Sequence, residues 1–273
     1  MHPDHGFRQQ HIKHELGDRI ELDRLITTIS TQFINLTLDD IDREINQALQ
    51  DIGEFIQVDR SYIFLFSNDG KKMNNTYEWS AQGIEPQIQH LQGIMVDEEL
   101  PWFAKKIKKY EIVHIPSVAD LPLEANREKY HFEVQNIQSL LGVPMILSGQ
   151  LLGYVGFDSV RCKRNWSETS IVLLKLVGDI LANALGRQRA EKQIQHRLLL
   201  EKTLAQISRL LISATDIDIE RQILKPLGEA VKANRVYIFQ LRDNNHKMDN
   251  THEWCDCDTS PQIRACFKTF RNR

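Results

Sequence analysis

One segment of this 273-residue chain is written twice. Residues 60–79 read RSYIFLFSNDGKKMNNTYEW and residues 235–254 read RVYIFQLRDNNHKMDNTHEW, a constant offset of 175 with ten of twenty positions identical. Pro86-Gln87-Ile88 returns at the same offset as Pro261-Gln262-Ile263, and upstream Ile29-Ser30 matches Ile207-Ser208 at an offset of 178. Solenoid repeats have periods of roughly 20–50 residues, so a period this long predicts head-to-tail duplication of a whole domain. After Ile88 the first copy continues towards a closing helix, whereas after Ile263 the chain reads RACFKTFRNR, which has no counterpart in the first copy. The expected layout is a polar N-terminal segment (1–21), a complete unit (22–188), a helical linker (189–206) and a second, truncated copy (207–273).

Charge and composition remove several classes of function. Lys plus Arg is 34 against 37 Asp plus Glu, a net charge of −3. That balance argues against a nucleic-acid binder, which relies on a basic surplus to neutralise phosphates. With 41% hydrophobic and 26% charged residues the chain has the means to bury a core. No run approaches 18 consecutive apolar residues, and Met1-His2-Pro3-Asp4-His5 opens no apolar signal segment. Four cysteines, three of them near the end, do not form a disulfide framework. The expectation is a cytoplasmic protein with no membrane span.

Local patterns supply the elements of the complete unit. Ile41, Ile45, Ala48, Leu49, Ile52, Phe55 and Ile56 recur at helical spacing, predicting an amphipathic helix over 39–57 with Thr37 and Asp40 at its cap. Tyr62-Ile63-Phe64-Leu65-Phe66 is β-branched and aromatic. Asn68-Asp69-Gly70 turns the chain into a second strand ending at Trp79, which makes a hairpin. Pro101 suits the first turn of a short helix over 101–109, followed by a strand over 111–115. Residues 139–147 and 151–157 form another hairpin, in which Gly142, Gly153 and Gly156 imply a bulge or the close approach of another backbone. Ser167 can cap a long closing helix with a seam at Leu173, Val177, Ile180 and Ala184; Arg187 and Glu191 interrupt it before Ile194 and Leu198 resume it. The order is helix, helix, hairpin, helix, strand, hairpin, helix: an α+β fold with an antiparallel sheet and flanking helices. The long helix leads into the second, incomplete copy, whose unpaired strand edge predicts easier opening beyond residue 207 than within 22–188.

These residues resemble the GAF domain family of bacterial sensory modules. The resemblance rests on Val58-Asp59-Arg60-Ser61-Tyr62-Ile63-Phe64, Asn75-Thr76-Tyr77-Glu78-Trp79, Gln138 to Met145, Leu152-Gly153-Tyr154-Val155-Gly156-Phe157-Asp158 and Trp166-Ser167-Glu168. The tandem arrangement is similar to units standing ahead of kinase or cyclase outputs, as in sensor histidine kinases of two-component systems. It implies a GAF/PAS-like curved sheet with helices behind and a ligand pocket in front. It also implies a homodimer through the flanking helices and a histidine kinase or cyclase partner. Covalent bilin attachment in the family uses a pocket cysteine, and the complete unit has only Cys162, followed by Lys163, which speaks against it. Its cyclic-nucleotide pattern is not supported: Asp97-Glu98 lacks the earlier members. The cysteine cluster of GAF-fold methionine sulfoxide reductases is absent, so the cofactor is unknown.

Tyr62, Trp79, Trp102 and Tyr154 are the candidate ligand-binding residues, since small-molecule sites are mostly apolar with a few polar groups. Their competing role is core or sheet-face packing, which the recurrence of Tyr62 as Tyr237 and Trp79 as Trp254 favours. His252, Cys255, Cys257 and Cys266 do not have the Cys-x2-4-Cys spacing of structural zinc, and no metal site is expected. His114 and His131 read as hydrogen-bonded or surface histidines rather than haem ligands. His14-Glu15-Leu16 lacks the rest of a phosphoacceptor box, and Lys105, Lys106, Lys108 and Lys109 read as a solvated helix face. No nucleotide loop, Gly-x-Ser-x-Gly or His-Glu-x-x-His occurs, so no catalytic residue and no enzyme is expected. The expectation is a sensory module that binds a small molecule and relays its state through the long helix. The alternative is a truncated relic of a multi-GAF sensor histidine kinase, acting only as a dimerisation and interaction protein.

Overall fold

The computed structural model describes residues 4–34, 36–37, 40–213, 223–243 and 246–262. They fall into two compact units, one reaching to Gln188 and one from Arg189 onward. In the first, α1 (Asp4–Ile34) and α2 (Ile41–Ile56) precede the hairpin β1 (Arg60–Phe66) and β2 (Lys72–Ser80). There follow β3 (Ile94–Met95), α3 (Val96–Glu99), α4 (Pro101–Ile107), β4 (Val113–Ile115) and α5 (Asn126–Val134). The hairpin β5 (Ser139–Leu147) and β6 (Gln150–Ser159) leads to α6 (Glu168–Ser213), whose first half belongs to this unit. The six strands form an antiparallel sheet in the order β3-β2-β1-β6-β5-β4.

Each sheet face has its own core, because successive strand residues point to opposite sides. Ile63, Val143, Val155 and Phe157 pack with Ile29, Ile45, Leu49, Leu173, Val177 and Leu181 of α1, α2 and α6. Tyr62, Phe64, Leu140 and Tyr154 face the other way and pack with Leu100, Phe103, Ile107 and Phe132 from the connection between β3 and β5. The expected α+β fold with an antiparallel sheet and flanking helices is the observed one.

Several local expectations change. The boundary expected after residue 21 falls inside α1, which is a single helix. Thr37 bonds the Asp40 carboxylate at 2.6 Å rather than a helix N–H, and α2 starts at Ile41 without a side-chain cap. Strand β3 and helix α5 were not expected. Helix α5 hides its periodicity because it buries Glu128 beside Phe132 while leaving Tyr130 and Val134 exposed. Gly153 meets the close approach foreseen for it, since a Cβ there would lie 1.9 Å from the Phe64 carbonyl oxygen; Gly142 has ordinary space.

The closing helix begins as expected, with the Ser170 N–H donating to Ser167 Oγ at 3.1 Å. Ser167→Ala should therefore cost about 1 kcal/mol, read as a lower urea midpoint; an unchanged midpoint would show the cap to be idle. The seam needs correction. Leu173, Val177 and Ala184 are buried in the unit's own core, the exposed apolar residues of the helix's first half are Val172 and Leu176, and Ile194 and Leu198 are exposed further along. Arg187 interrupts the seam because its guanidinium donates to the carbonyls of Phe33 and Ile34, both at 3.1 Å, at the C-terminal end of α1. Helix ends leave such carbonyls without intrahelical partners. Among the described residues α6 alone is long and apolar enough to cross a membrane, and 56% of its apolar stretch is buried inside the protein, as in a core helix.

The second unit contains α7 (Lys225–Val231) and the hairpin β7 (Arg235–Arg242) and β8 (Lys247–Cys255). Its details repeat those of the first at the 175-residue offset. The register of β1 and β2 slips between Ile63 and Phe64, and that of β7 and β8 between Ile238 and Phe239. Gly53 lies against the Trp79 ring as Gly228 lies against Trp254. Gln57 and Lys232 both end their helices at positive φ, 59° and 54°. Burial differs: Tyr62 is 4% exposed and Tyr237 53%. In the first unit β6 lies beside β1, and among the described residues no strand pairs with the corresponding edge of β7.

Candidate functional site

Between the sheet and the connection from β2 to β5 lies a small cavity of about 20 Å³. Roughly 10–15 Å³ suffices for one water, so the space is of that order. Strand β1 turns Arg60, Tyr62 and Phe64 into it, and β6 supplies Tyr154 and Asp158. The β2 wall holds Asn75 and Glu78, three residues apart. Simple alternation would put these on opposite faces, but the slip beside Phe64 adds one residue to β2 and brings both to the cavity. Helix α5 closes the far side with His131, Phe132 and Gln135.

The polar groups are organised around Asp158. Arg60 and Asp158 are opposite one another in the β1–β6 register, and both are 2% exposed. Arg60 Nε stands 3.5 Å from Asp158 Oδ2, an ion-pair distance too long for a well-formed hydrogen bond, and its Nη2 donates to the Gln135 carbonyl at 3.0 Å. Tyr62 donates its hydroxyl to Asp158 Oδ1 at 2.7 Å. Gly156 makes this geometry attainable: a Cβ there would fall 2.6 Å from the Tyr62 ring, which crosses β6 at that point. Burial pushes the Asp158 carboxyl up to about 6, against the opposing pull of Arg60 and the Tyr62 hydrogen bond. Burial and the neighbouring carboxylate push the Tyr62 phenol well above its ordinary value.

Glu78 accepts from Asn75 Nδ2 at 2.6 Å, Ser80 Oγ at 3.0 Å and the Gln87 N–H at 2.8 Å. Two of the cavity-lining residues have a buried atom without a hydrogen-bond partner, Arg60 Nε and Asn75 Oδ1. His131 is pushed below its ordinary value by burial, with Glu99 and Glu128 opposing. Behind it the buried Glu128 accepts the N–H groups of Trp102 and Phe103 at 2.7 and 3.2 Å, holding the start of α4.

Of the four candidate ligand residues, the cavity brings together Tyr62 and Tyr154, with Phe64 stacked on Tyr154 at 5.0 Å between ring centroids. Trp79 does not line it. Its ring packs on Gly53 of α2, on the opposite face, because residue 79 alternates with the cavity-facing Glu78. Trp102 does not line it either: it packs on the outer side of α4, with Lys106 Nζ 5.0 Å from its ring. Lys106 thus lies over an aromatic face, and Lys108 is paired with Asp97 at 2.6 Å. His252 Nδ1 is 3.1 Å from Thr251 Oγ1, Cys255 and Cys257 are free thiols, and Cys266 lies outside the described residues.

Arg60, Asn75, Glu78 and Asp158 are absent from the sequence-derived candidates, and His131 is weighed there only as a haem ligand. Polar residues inside strand patterns read as solvent-facing, and nothing local pairs Arg60 with a carboxylate 98 positions away. A signal was present for three of them. Arg60, Asn75 and Glu78 are among the ten positions kept in the repeat, as Arg235, Asn250 and Glu253.

The profile of the family described as GAF domain matches residues 40–185. The chain is 31% identical over 191 residues to the methanogenesis regulatory histidine kinase FilI of Methanothrix harundinacea, a stretch covering 67% of this chain and 21% of that kinase. The chain thus spans about a fifth of the length of this relative. The solved GAF domain from a phosphoenolpyruvate-protein phosphotransferase of Coxiella burnetii matches with a TM-score of 0.50 and 14% identity, over 64% of this chain and 98% of that one. A far-red absorbing dark state with bound biliverdin IXa matches with a TM-score of 0.48 and 19% identity, over 62% and 98% of the two chains.

Proposed function

The chain belongs to the GAF domain family, and from that membership we propose that it is a sensory module of a signal-transduction protein, binding a small molecule in the Arg60–Tyr62–Asp158 cavity and passing the change to α6. The observation that carries this reading is the alternation of β6. Tyr154 and Asp158 face the cavity, whereas Val155 and Phe157 face α1, α2 and α6. Gly178 of α6 lies so close that a Cβ there would be 3.1 Å from Val155 Cγ1. A ligand that displaces β6 therefore displaces what α6 packs on. Allostery additionally requires two arrangements of α6 that the ligand distinguishes.

In this reading the chain is a cytoplasmic binding module rather than an enzyme, and a histidine kinase or cyclase provides the output. Likeness to a regulatory histidine kinase supports the kinase. Residues 207–263 are read as the leading elements of a second GAF unit, supported by the shared strand slip, the Gly–Trp contact and the left-handed helix end.

The test is thermal-shift screening against a metabolite panel, followed by amide exchange with each hit. Binding should change exchange in residues 173–185. A hit that protects β1 and β6 while leaving those amides unaltered overturns the relay. One observation favours the alternative, an interaction protein without a ligand: Leu22, Ile26, Val172 and Leu176 line an open groove between α1 and α6. Dimers in sedimentation that dissociate on Leu176→Lys, with no panel hit, would support it.

A further inference from the structure

Two polar residues of the cavity wall define what it can hold, given the reading that this cavity is the ligand site. Arg60 and Asn75 are each 2% exposed, and Arg60 Nε and Asn75 Oδ1 both lack a hydrogen-bond partner. A buried polar group without a hydrogen-bond partner is costly, and the two residues line the same small space. The orientation of Asn75 is fixed, because its Nδ2 is committed to Glu78 at 2.6 Å, which leaves the oxygen as the open end. The counterpart of that oxygen in the second unit, Asn250 Oδ1, is likewise without a partner. The open wall thus offers one donor and one acceptor.

Charge narrows the class further. Arg60 Nε already stands 3.5 Å from Asp158 Oδ2, an ion pair without a formed hydrogen bond, so an anion would compete with a buried carboxylate for it. A cation would stand beside the guanidinium, and the two carboxylates of the wall are already engaged, Glu78 by Asn75, Ser80 and the Gln87 N–H and Asp158 by Tyr62 and Arg60. A neutral group presenting an acceptor and a donor meets both demands. Tyr62, Phe64, Phe132, Leu140 and Tyr154 give the wall an aromatic and aliphatic part that suits a planar body, beside the polar Glu78, His131 and Asp158.

We propose that the cavity binds a small neutral molecule of the carboxamide or urea class. Its carbonyl oxygen accepts from Arg60 Nε–H, and its N–H donates to Asn75 Oδ1. A molecule larger than water requires α5 to give way. His131 is placed for this, since it lines both the cavity and an outer depression bounded by Glu99, Arg127 and Tyr130.

The test uses the whole chain and follows the Arg60 Nε–H resonance by NMR during titration with acetamide and N-methylurea, and with acetate and methylammonium as charged probes of similar size. Molecules this small bind weakly even at their best, so titrations run to about 50 mM. Acetamide and N-methylurea should move the Arg60 resonance in saturable fashion, and Asn75→Leu should weaken that binding at least about fivefold. The wild-type resonance is informative even if that variant fails to fold. Movement with acetate or methylammonium alone overturns the ligand class and leaves the cavity as a ligand site. No movement with any probe, in the wild type or in His131→Ala, overturns both.

Discussion

Arg60→Met is expected to destabilise the first unit by about 3–5 kcal/mol at pH 8, the usual cost of removing one member of a buried ion pair, and by clearly less at pH 5. The cause is what remains. Asp158 is 2% exposed, and Arg60 is the main charge opposing the upward push of burial on its carboxyl. Without the guanidinium the carboxyl moves above its present value of about 6. A group whose folded pKa is raised contributes stability below its unfolded pKa, and that contribution is lost as pH rises through the folded pKa. The variant should therefore recover on acidification from pH 8 to pH 5, as Asp158 takes up a proton and no longer needs its partner. Urea unfolding across that range is the measurement. A penalty that stays constant with pH would show that Arg60 matters through packing and its bond to the Gln135 carbonyl instead.

The second large effect concerns strand spacing. Gly153→Ala should cost more than about 3 kcal/mol, beyond ordinary overpacking, whereas Gly142→Ala should stay within about 1 kcal/mol. A Cβ at 153 would lie 1.9 Å from the Phe64 carbonyl oxygen and 3.0 Å from Leu65 Cα. Both are backbone atoms of β1, so only separation of β1 from β6 relieves the overlap. At 142 the nearest atom is 3.5 Å away on the Phe103 ring, an ordinary contact. Both glycines sit in strands and look alike in sequence. Equal denaturation midpoints for the two variants would refute the distinction. Because β1 and β6 also carry Arg60 and Asp158, Gly153→Ala should disturb the cavity as well as the fold.

Much of the architecture could be read from residue patterns, for reasons that are local. The alternating strand pairs flank Asn68-Asp69-Gly70 and Ser148-Gly149-Gln150, and turn chemistry fixes such hairpins before any distant contact forms. Ser167 announces the start of α6 because a cap needs only its own helix. Helix α5 escaped notice because its inward side carries the carboxylate of Glu128, which serves the start of α4 rather than the hydrophobic period. The closing-helix seam was misassigned because periodicity gives spacing but not which neighbour a face meets. Leu173 and Val177 meet the sheet, and Arg187 meets the end of α1.

The candidate site divides in the same way. Tyr62 and Tyr154 could be singled out as aromatic residues in strands, but so could Trp79, and only strand alternation on the folded sheet separates them. By itself the sequence determined the repeat, the hairpins and the glycines that let strands approach, all products of short-range sterics and of copying. Tertiary structure alone decided that Arg60 meets Asp158 and that Asn75 lines the same space. Those groups lie far apart along the chain, and their charges and hydrogen bonds acquire consequence only once the sheet excludes water from between them.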